Sequence, residues 1–537
     1  MGKRNVDFWT TRLISVYVVG CLLLSLIFTP QAYAQTTPPV VNFNCNAVGF
    51  KVQIAPINPT QIPAFSQSAV NCMAWQTFIA LNWKANPQNP GQPDLTATAE
   101  QFGDPADSTD LVVWESYKDV SDVFRPNPVK SWKSPQLLPE SFRQFKNIAD
   151  LTPTSNFGFR PLTATSKFAD GPDFILDETT QAFTNSWLTA QNQSLTFYEI
   201  RLNQDEYEYI TQNNLTSPQA QQSCATGNAG LNLPSGSADS DCANNSANYG
   251  SDGAIEIKAA WVELKDSSLY PKYKISQAII KGPNDPEPRQ ATMGLVGLHI
   301  IHKVTNGKQF VWATFEHVDN APTPNDINNG NLKPSYTYYN HACNPQTDRY
   351  QCKFNYQPQP CNAGQQTGCD PYTAPVQVVR LNPIPSPSAS LNRAVWSTIT
   401  QVNPDSVFQN YQLIDTIWPN ASSPIPPGAT TPLNDGSPQS GTPNNYVANT
   451  TMETYLQQAV IPPTNQGGCL SCHVLAPIAS PTKLGTKARV LLSLPKETLR
   501  QTQSNAPLAS DYSFVFSQAQ AIAKNIQPKL QEVGSSN

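Results

Sequence analysis

Apolar and polar positions alternate most clearly in the middle of the chain. Leu195–Leu202 and Ala254–Lys265 repeat with period two, the pattern of strands. Gly294–Val304 and Gln309–Val318 are two further strand-like runs, separated by Thr305-Asn306-Gly307-Lys308. Asn-Gly between apolar runs predicts a hairpin with a two-residue turn, whose central residues need positive φ. That turn sets His302 opposite Val311, His299 opposite Thr314 and Gly297 opposite Glu316. One face of the hairpin then carries Leu298, Ile300, Ala313 and Phe315, which is core. The other carries Gly297, His299, Ile301, Trp312, Thr314 and Glu316. Cys72–Trp83 reads as a buried helix, Asn449–Ala459 as a short capped one, and Asp511–Lys524 shows helical spacing of apolar residues. The expected class is α+β: a large antiparallel-sheet-containing domain and a small, mostly helical C-terminal module.

The ends and the linkers change that picture. Lys3, Arg4 and Arg12 precede an apolar run from Leu13 to Phe28, and Ala32-Tyr33-Ala34 follows. This is the pattern of a secretory signal, cleaved after Ala34, with no stable membrane span in what remains. The expected divisions are 1–34 signal peptide, 35–420 α+β domain, 421–444 a Pro/Ser/Gly-rich linker or loop, and 445–537 the C-terminal module. Export permits disulfides. Setting aside Cys21 and a C-x-x-C-H sequence leaves Cys45, Cys72, Cys224, Cys242, Cys343, Cys352, Cys361 and Cys369, an even number that suits bridges. Cys224 and Cys242 bracket a Gly/Ser/Asn-rich loop, and the last four read as two staples on a long loop. The formal net charge of −5 argues against nucleic acid and anionic membrane surfaces as partners. No G-x-S-x-G, H-E-x-x-H or P-loop occurs.

The chemistry lies in Cys469-Leu-Ser-Cys-His473. Two thiols at this spacing add across the two vinyl groups of haem, and the adjacent imidazole binds iron. No His or Cys follows His473, which leaves a zinc site without ligands there. Through this motif the segment from about 449 to 530 resembles c-type cytochrome modules. The whole chain also resembles a group of bacterial exported cytochrome c family proteins of undefined activity, through Gly294-Leu-Val-Gly-Leu-His-Ile-Ile-His302 and Trp312-Ala-Thr-Phe-Glu-His-Val-Asp-Asn-Ala-Pro322. The resemblance implies one covalent haem c and electron transfer for the last fifth of the chain, and nothing for the remainder.

One departure from the cytochrome pattern is informative. Neither Met nor His follows His473, so the second face of iron must be served from upstream, by water, or by nothing. The upstream candidates are Met73, Met293, Met452, His299, His302, His317 and His341. On the hairpin, His299 and Glu316 are diagonal neighbours. Gly297 beside them leaves room for a close approach such as a haem edge. His299 with Glu316 would give either an oriented distal ligand or an acid/base pair over an open iron. The expected function is therefore that of an exported monohaem c-type cytochrome in the periplasm or outside the cell. It would exchange electrons with a redox protein or a small-molecule donor or acceptor. The alternatives are a peroxidase-like oxidoreductase with an open distal site, and a ligand-binding or sensor haem protein.

Overall fold

Among the described residues, ten short and long strands and a set of helices account for the regular structure in a computed structural model. It describes residues 38–43, 45, 49–63, 65–105, 110–125, 128–139, 142, 145–162, 184, 186–344, 352–359, 368–419, 423–433, 447–458, 468–479 and 506–519. The expected signal peptide and part of the expected linker, 434–444, lie outside these residues, as does Cys361.

The strands are β1 (Lys118–Asp119), β2 (Pro161–Leu162), β3 (Thr196–Leu202), β4 (Asp239–Ser240), β5 (Ser246–Ala247), β6 (Ile255–Glu263), β7 (Ile275–Ile280), β8 (Arg289–His302), β9 (Val311–His317) and β10 (Tyr411–Ile417). All but β4 and β5 join one sheet. Its order is β1-β3-β6-β8-β7-β2, and the second half of β8 also pairs with β9, which pairs with β10. Every pairing in this sheet is antiparallel except β2 with β7. The class is α+β, as the alternation predicts.

The hairpin register is the one the sequence gives for β8 and β9: Gly297 meets Glu316, His299 meets Thr314 and His302 meets Val311. Its turn is different. The ladder stops at His302 and Val311, and a longer loop closes it, with the Gly307 N–H donating to Val304 O at 2.8 Å. Neither Asn306 nor Gly307 takes a positive φ. The Asn306 amide is spent elsewhere: its Oδ1 accepts from Ile62 N at 3.0 Å and its Nδ2 donates to Ile62 O. A long-range latch replaces the tight turn.

The helices are α1 (Gln67–Leu81), α2 (Gln204–Gln212), α3 (Pro218–Thr226), α4 (Ser386–Val402) and α5 (Cys469–His473), besides shorter turns. Helix α1 starts five residues before its apolar core because Ser66 Oγ accepts from Ala69 N and caps it. It is buried on all sides from Ala69 to Leu81. Phe78 and Trp75 pack on Phe315 of β9 at 4.5 and 5.0 Å between ring centroids. Helix α4, whose polar sequence hides it, carries Asn392, which accepts from Trp75 Nε1 at 2.9 Å. Cys45–Cys72, Cys224–Cys242 and Cys343–Cys352 are disulfides, and Cys369 is bonded too. Among the described residues no helix is long and apolar enough to cross a membrane.

Residues from Val40 onward form one compact unit by their contacts. The described parts of the expected C-terminal module, 447–458, 468–479 and 506–519, are segments of that unit. Residues 450–458 form a run of turns rather than a regular helix. The helical spacing after Asp511 is broken at its start, because Asp511 and Tyr512 both adopt left-handed φ, 53° and 64°. A helical turn begins only at Val515, and residues beyond 519 lie outside the described set.

Candidate functional site

Register dictates which side chains share the face of the sheet opposite α1. Lys258 pairs with His299, and His299 with Thr314, so these three form one row across β6, β8 and β9. Two residues along, Glu256, Ile301 and Trp312 form the next row. Above these rows lies a narrow cleft of about 60 Å³ that opens to solvent. Its other walls are α5 with Cys469, Cys472 and His473, the segment around Phe514, and Glu453 with Leu456.

Helix α5 is a single turn of five residues, entered through Gly468 at φ 75°. Cys469 and Cys472 are partly exposed, whereas His473 is 6 % exposed. His473 Nδ1 lies 2.6 Å from Tyr512 O. A carbonyl only accepts, so Nδ1 carries the hydrogen, which makes Nε2 the nitrogen able to act as a ligand in the neutral tautomer. An imidazole oriented by a backbone carbonyl in this way is the usual arrangement for a metal ligand. The ring stands between Trp312 and Phe514, each 5.2 Å away between centroids. The Tyr512 carbonyl is aimed by the left-handed pair before it, a conformation unfavourable for a Tyr and therefore held from outside. Asp511 supplies the hold: its Oδ2 accepts from Leu233 N at 2.7 Å and from Lys303 Nζ at 2.5 Å.

His299 faces this motif from the sheet, with 7 % of its surface exposed. Both ring nitrogens are engaged, Nε2 with Glu453 Oε1 at 3.0 Å and Nδ1 with Thr314 Oγ1 at 2.7 Å. Burial alone would raise the Glu453 pKa. His299, Lys258 and the Asn449 N–H outweigh it and hold the carboxyl down to about 2. An ionised Glu453 accepts, so His299 donates from Nε2.

The acid beside His299 is thus Glu453, not Glu316. Glu316 forms an ion pair with Arg380 and accepts from Thr450 N at 3.0 Å and Thr450 Oγ1 at 2.7 Å. The space above Gly297 is also taken. A Cβ there would lie 2.3 Å from Thr451 Oγ1 and about as close as van der Waals contact forbids to Asn449. The turn 449–451 makes the close approach that the glycine permits. Asn449 Nδ2 fixes that turn on β9, donating to Phe315 O at 2.8 Å.

Of the seven upstream candidates, only His299 lines the cleft. His302 donates from Nε2 to Asp252 O at 2.8 Å. His317 is stacked on Tyr273 at 3.9 Å and donates from Nε2 to Lys272 O at 2.9 Å. Met73, Met293 and Met452 are packed in apolar clusters, and His341 is exposed. The residue that sequence reasoning missed, Glu453, sits 154 positions from His299. Its one legible signal is the Asn449 four residues earlier, whose N–H donates to Glu453 Oε2 at 2.9 Å, as at a helix start.

Compared with known protein families, with curated proteins and with solved structures, the chain matches none.

Proposed function

We propose that this chain is an exported monohaem c-type redox protein, with haem joined to Cys469 and Cys472 and iron bound by His473 Nε2. The observation that carries this reading is the convergence of the two thiols, the carbonyl-oriented imidazole and His299 on one largely apolar cleft. The donor set fits haem c: two sulfurs and one nitrogen within a single turn, beside Ile301, Trp312, Phe514 and Val515. Haem would supply one-electron chemistry there. The protein contributes orientation at His473, exclusion of water by the apolar wall, and a polar pair opposite. Three disulfides among the described residues support export to the periplasm or beyond.

The state of His299 favours chemistry at an open iron face over simple electron carriage. To act as sixth ligand it must give up either Glu453 or Thr314, both of which hold it as it stands. Releasing Thr314 alone, His299 keeps Glu453 as its partner and can take a proton from a bound substrate at Nδ1 and return it, as in a peroxidase-like oxidoreductase. The electron partner is then a small-molecule donor or a redox protein, and the cleft mouth is where a small oxidant enters.

The test is an optical spectrum of the exported protein, ferric and ferrous, with and without carbon monoxide. Expected are a haem that survives acid extraction, a high-spin ferric band and rapid carbon monoxide binding. His299→Ala should leave the bands in place and lower peroxide turnover about 10²–10⁴-fold. A low-spin spectrum indifferent to carbon monoxide, turning high-spin in His299→Ala, would instead establish His299 as ligand and electron transfer as the function. Absence of covalent haem overturns both readings.

A further inference from the structure

Glu256 stands in the cleft wall, one row from His299. Glu206 of α2 is brought beside it by Asn203, whose Oδ1 accepts from both Glu206 N at 3.2 Å and Ile255 N at 3.0 Å, and the two carboxyls meet. Glu206 is fully buried, and neither of its carboxyl oxygens meets an N–H or O–H donor among the described residues. Two carboxyls turned to one another in a dry interior cannot both ionise, and they form a hydrogen bond only by sharing a proton. Burial and the neighbouring Glu256 push the Glu206 carboxyl well above the usual carboxylate range. Leaving such a group without donors costs stability, so a fold with no use for it would replace it by an amide or an apolar side chain. No three acidic, His or Cys groups converge as a metal-binding set among the described residues. The ligand this pair is built to hold is a proton.

The surroundings set how that proton answers to charge. Asp511 faces the pair and disfavours a second negative charge, while Lys303, ion-paired to Asp511 at 2.5 Å, favours one. Lys258 is two residues along β6, the His299–Glu453 pair occupies the adjoining row, and His473 closes the cleft opposite. Asp205, the neighbour of Glu206 on α2, turns away to accept from Asp252 N and Gly253 N at 2.9 and 2.8 Å. The pair therefore adjoins the cleft directly, with Lys303 and Asp511 among its charged neighbours.

We propose that Glu206 and Glu256 form a proton-binding site that fills when the cleft gains an electron. This rests on the haem reading above. The electron comes from a one-electron donor and the proton from solvent through the cleft. One electron makes the cleft more negative by one charge, and the pair offsets it by forming one O–H bond on a carboxylate oxygen. That O–H bond replaces the one broken in the hydronium ion that delivers the proton, and no other bond forms or breaks. Coupling of this sign makes the reduction potential fall as pH rises.

The experiment is a redox titration of the holoprotein at intervals from about pH 5 to pH 9, on wild type, Glu206→Gln and Glu256→Gln. Wild type should show a falling potential with a limiting slope of about 59 mV per tenfold change in proton concentration, one proton per electron. Either Gln variant should flatten the slope while leaving the haem bands unchanged. A wild-type potential independent of pH overturns the proposal, as does a slope that survives both substitutions. Should either variant fail to fold, the redox-difference infrared spectrum of wild type decides. A protonated-carboxyl band gained on reduction sustains the proposal, and its absence overturns it. A chain without haem bands overturns the haem reading and this site with it, whereas haem with a flat slope overturns this site alone.

Discussion

The two faces of the central sheet bury charge in opposite ways. On the face that α1 covers, Arg160 bridges Glu115 and Glu199, Lys274 reaches Glu115 at 3.1 Å, and Arg201 reaches Glu199 at 2.7 Å. Trp261 Nε1 adds a donor to Glu199 at 2.7 Å, and the Arg160 guanidinium lies 4.7 Å over the Trp261 ring. Burial would raise the Glu115 carboxyl, yet Lys274 and Arg160 take it to about 2. Each acid there stands between two cations. On the cleft face Glu206 meets Glu256 with no donor of its own, and the indole N–H of Trp312 has no acceptor among the described residues. In the first cluster every carboxylate meets cations of the fold itself, whereas Glu206 meets none of its own among the described residues. Buried charge alone does not mark a function. Buried polar groups short of partners, beside a cleft, do.

The comparison breaks most visibly at Arg160. Arg160→Met leaves Glu115 with Lys274 alone and Glu199 with Arg201 alone, and the loss expected is about 3–5 kcal/mol in denaturant unfolding. A loss under about 1 kcal/mol would mean that the network is incidental to the fold. His317 tests the same face through pH. Burial lowers its pKa to about 4, against 6.5 for the ordinary group. The native state then binds fewer protons than the unfolded chain, so stability is full above pH 6.5, falls as pH drops towards 4, and levels below. The decrement is about 3 kcal/mol. Comparing wild type with His317→Gln at pH 7 and pH 4 isolates it, and parallel behaviour of the two proteins would refute it. On the cleft face the smallest change is Gly297→Ala. The added methyl must displace Thr451, at about 1–3 kcal/mol, and with it the turn that carries Glu453. An unchanged melting temperature would show the turn to be loosely seated.

The register of β8 and β9 was readable because alternation and burial allow no one-residue slip. The same pattern put His299 on the face away from the core and near Trp312. What alternation cannot convey is who arrives from elsewhere in the chain. Glu453 reaches His299 through an irregular run of turns, and Asn306 turns to Ile62 instead of closing a tight loop. Helix α4 was hidden because its buried side includes Ser388 and Asn392, polar residues that serve as partners for Asp415 and Trp75 rather than as solvent face. The Cys-x-x-Cys-His motif is local and needs no such partner. The oxygen that orients its imidazole, Tyr512 O, comes from 39 positions further on.

Helix α1 has a consequence for how the chain assembles. It is made early and is buried all round from Ala69 onward, and Gln67 and Asn71 are anchored by Asp415 of β10, 348 and 344 positions away. Until residue 417 exists, the helix has no complete seat, and its apolar surface is open to other chains. Contacts of such span slow folding and lengthen exposure to aggregation. The first helix synthesised is thus among the last parts to settle, and yield should depend on chaperones that shield an N-terminal segment until the last strand of the sheet has formed.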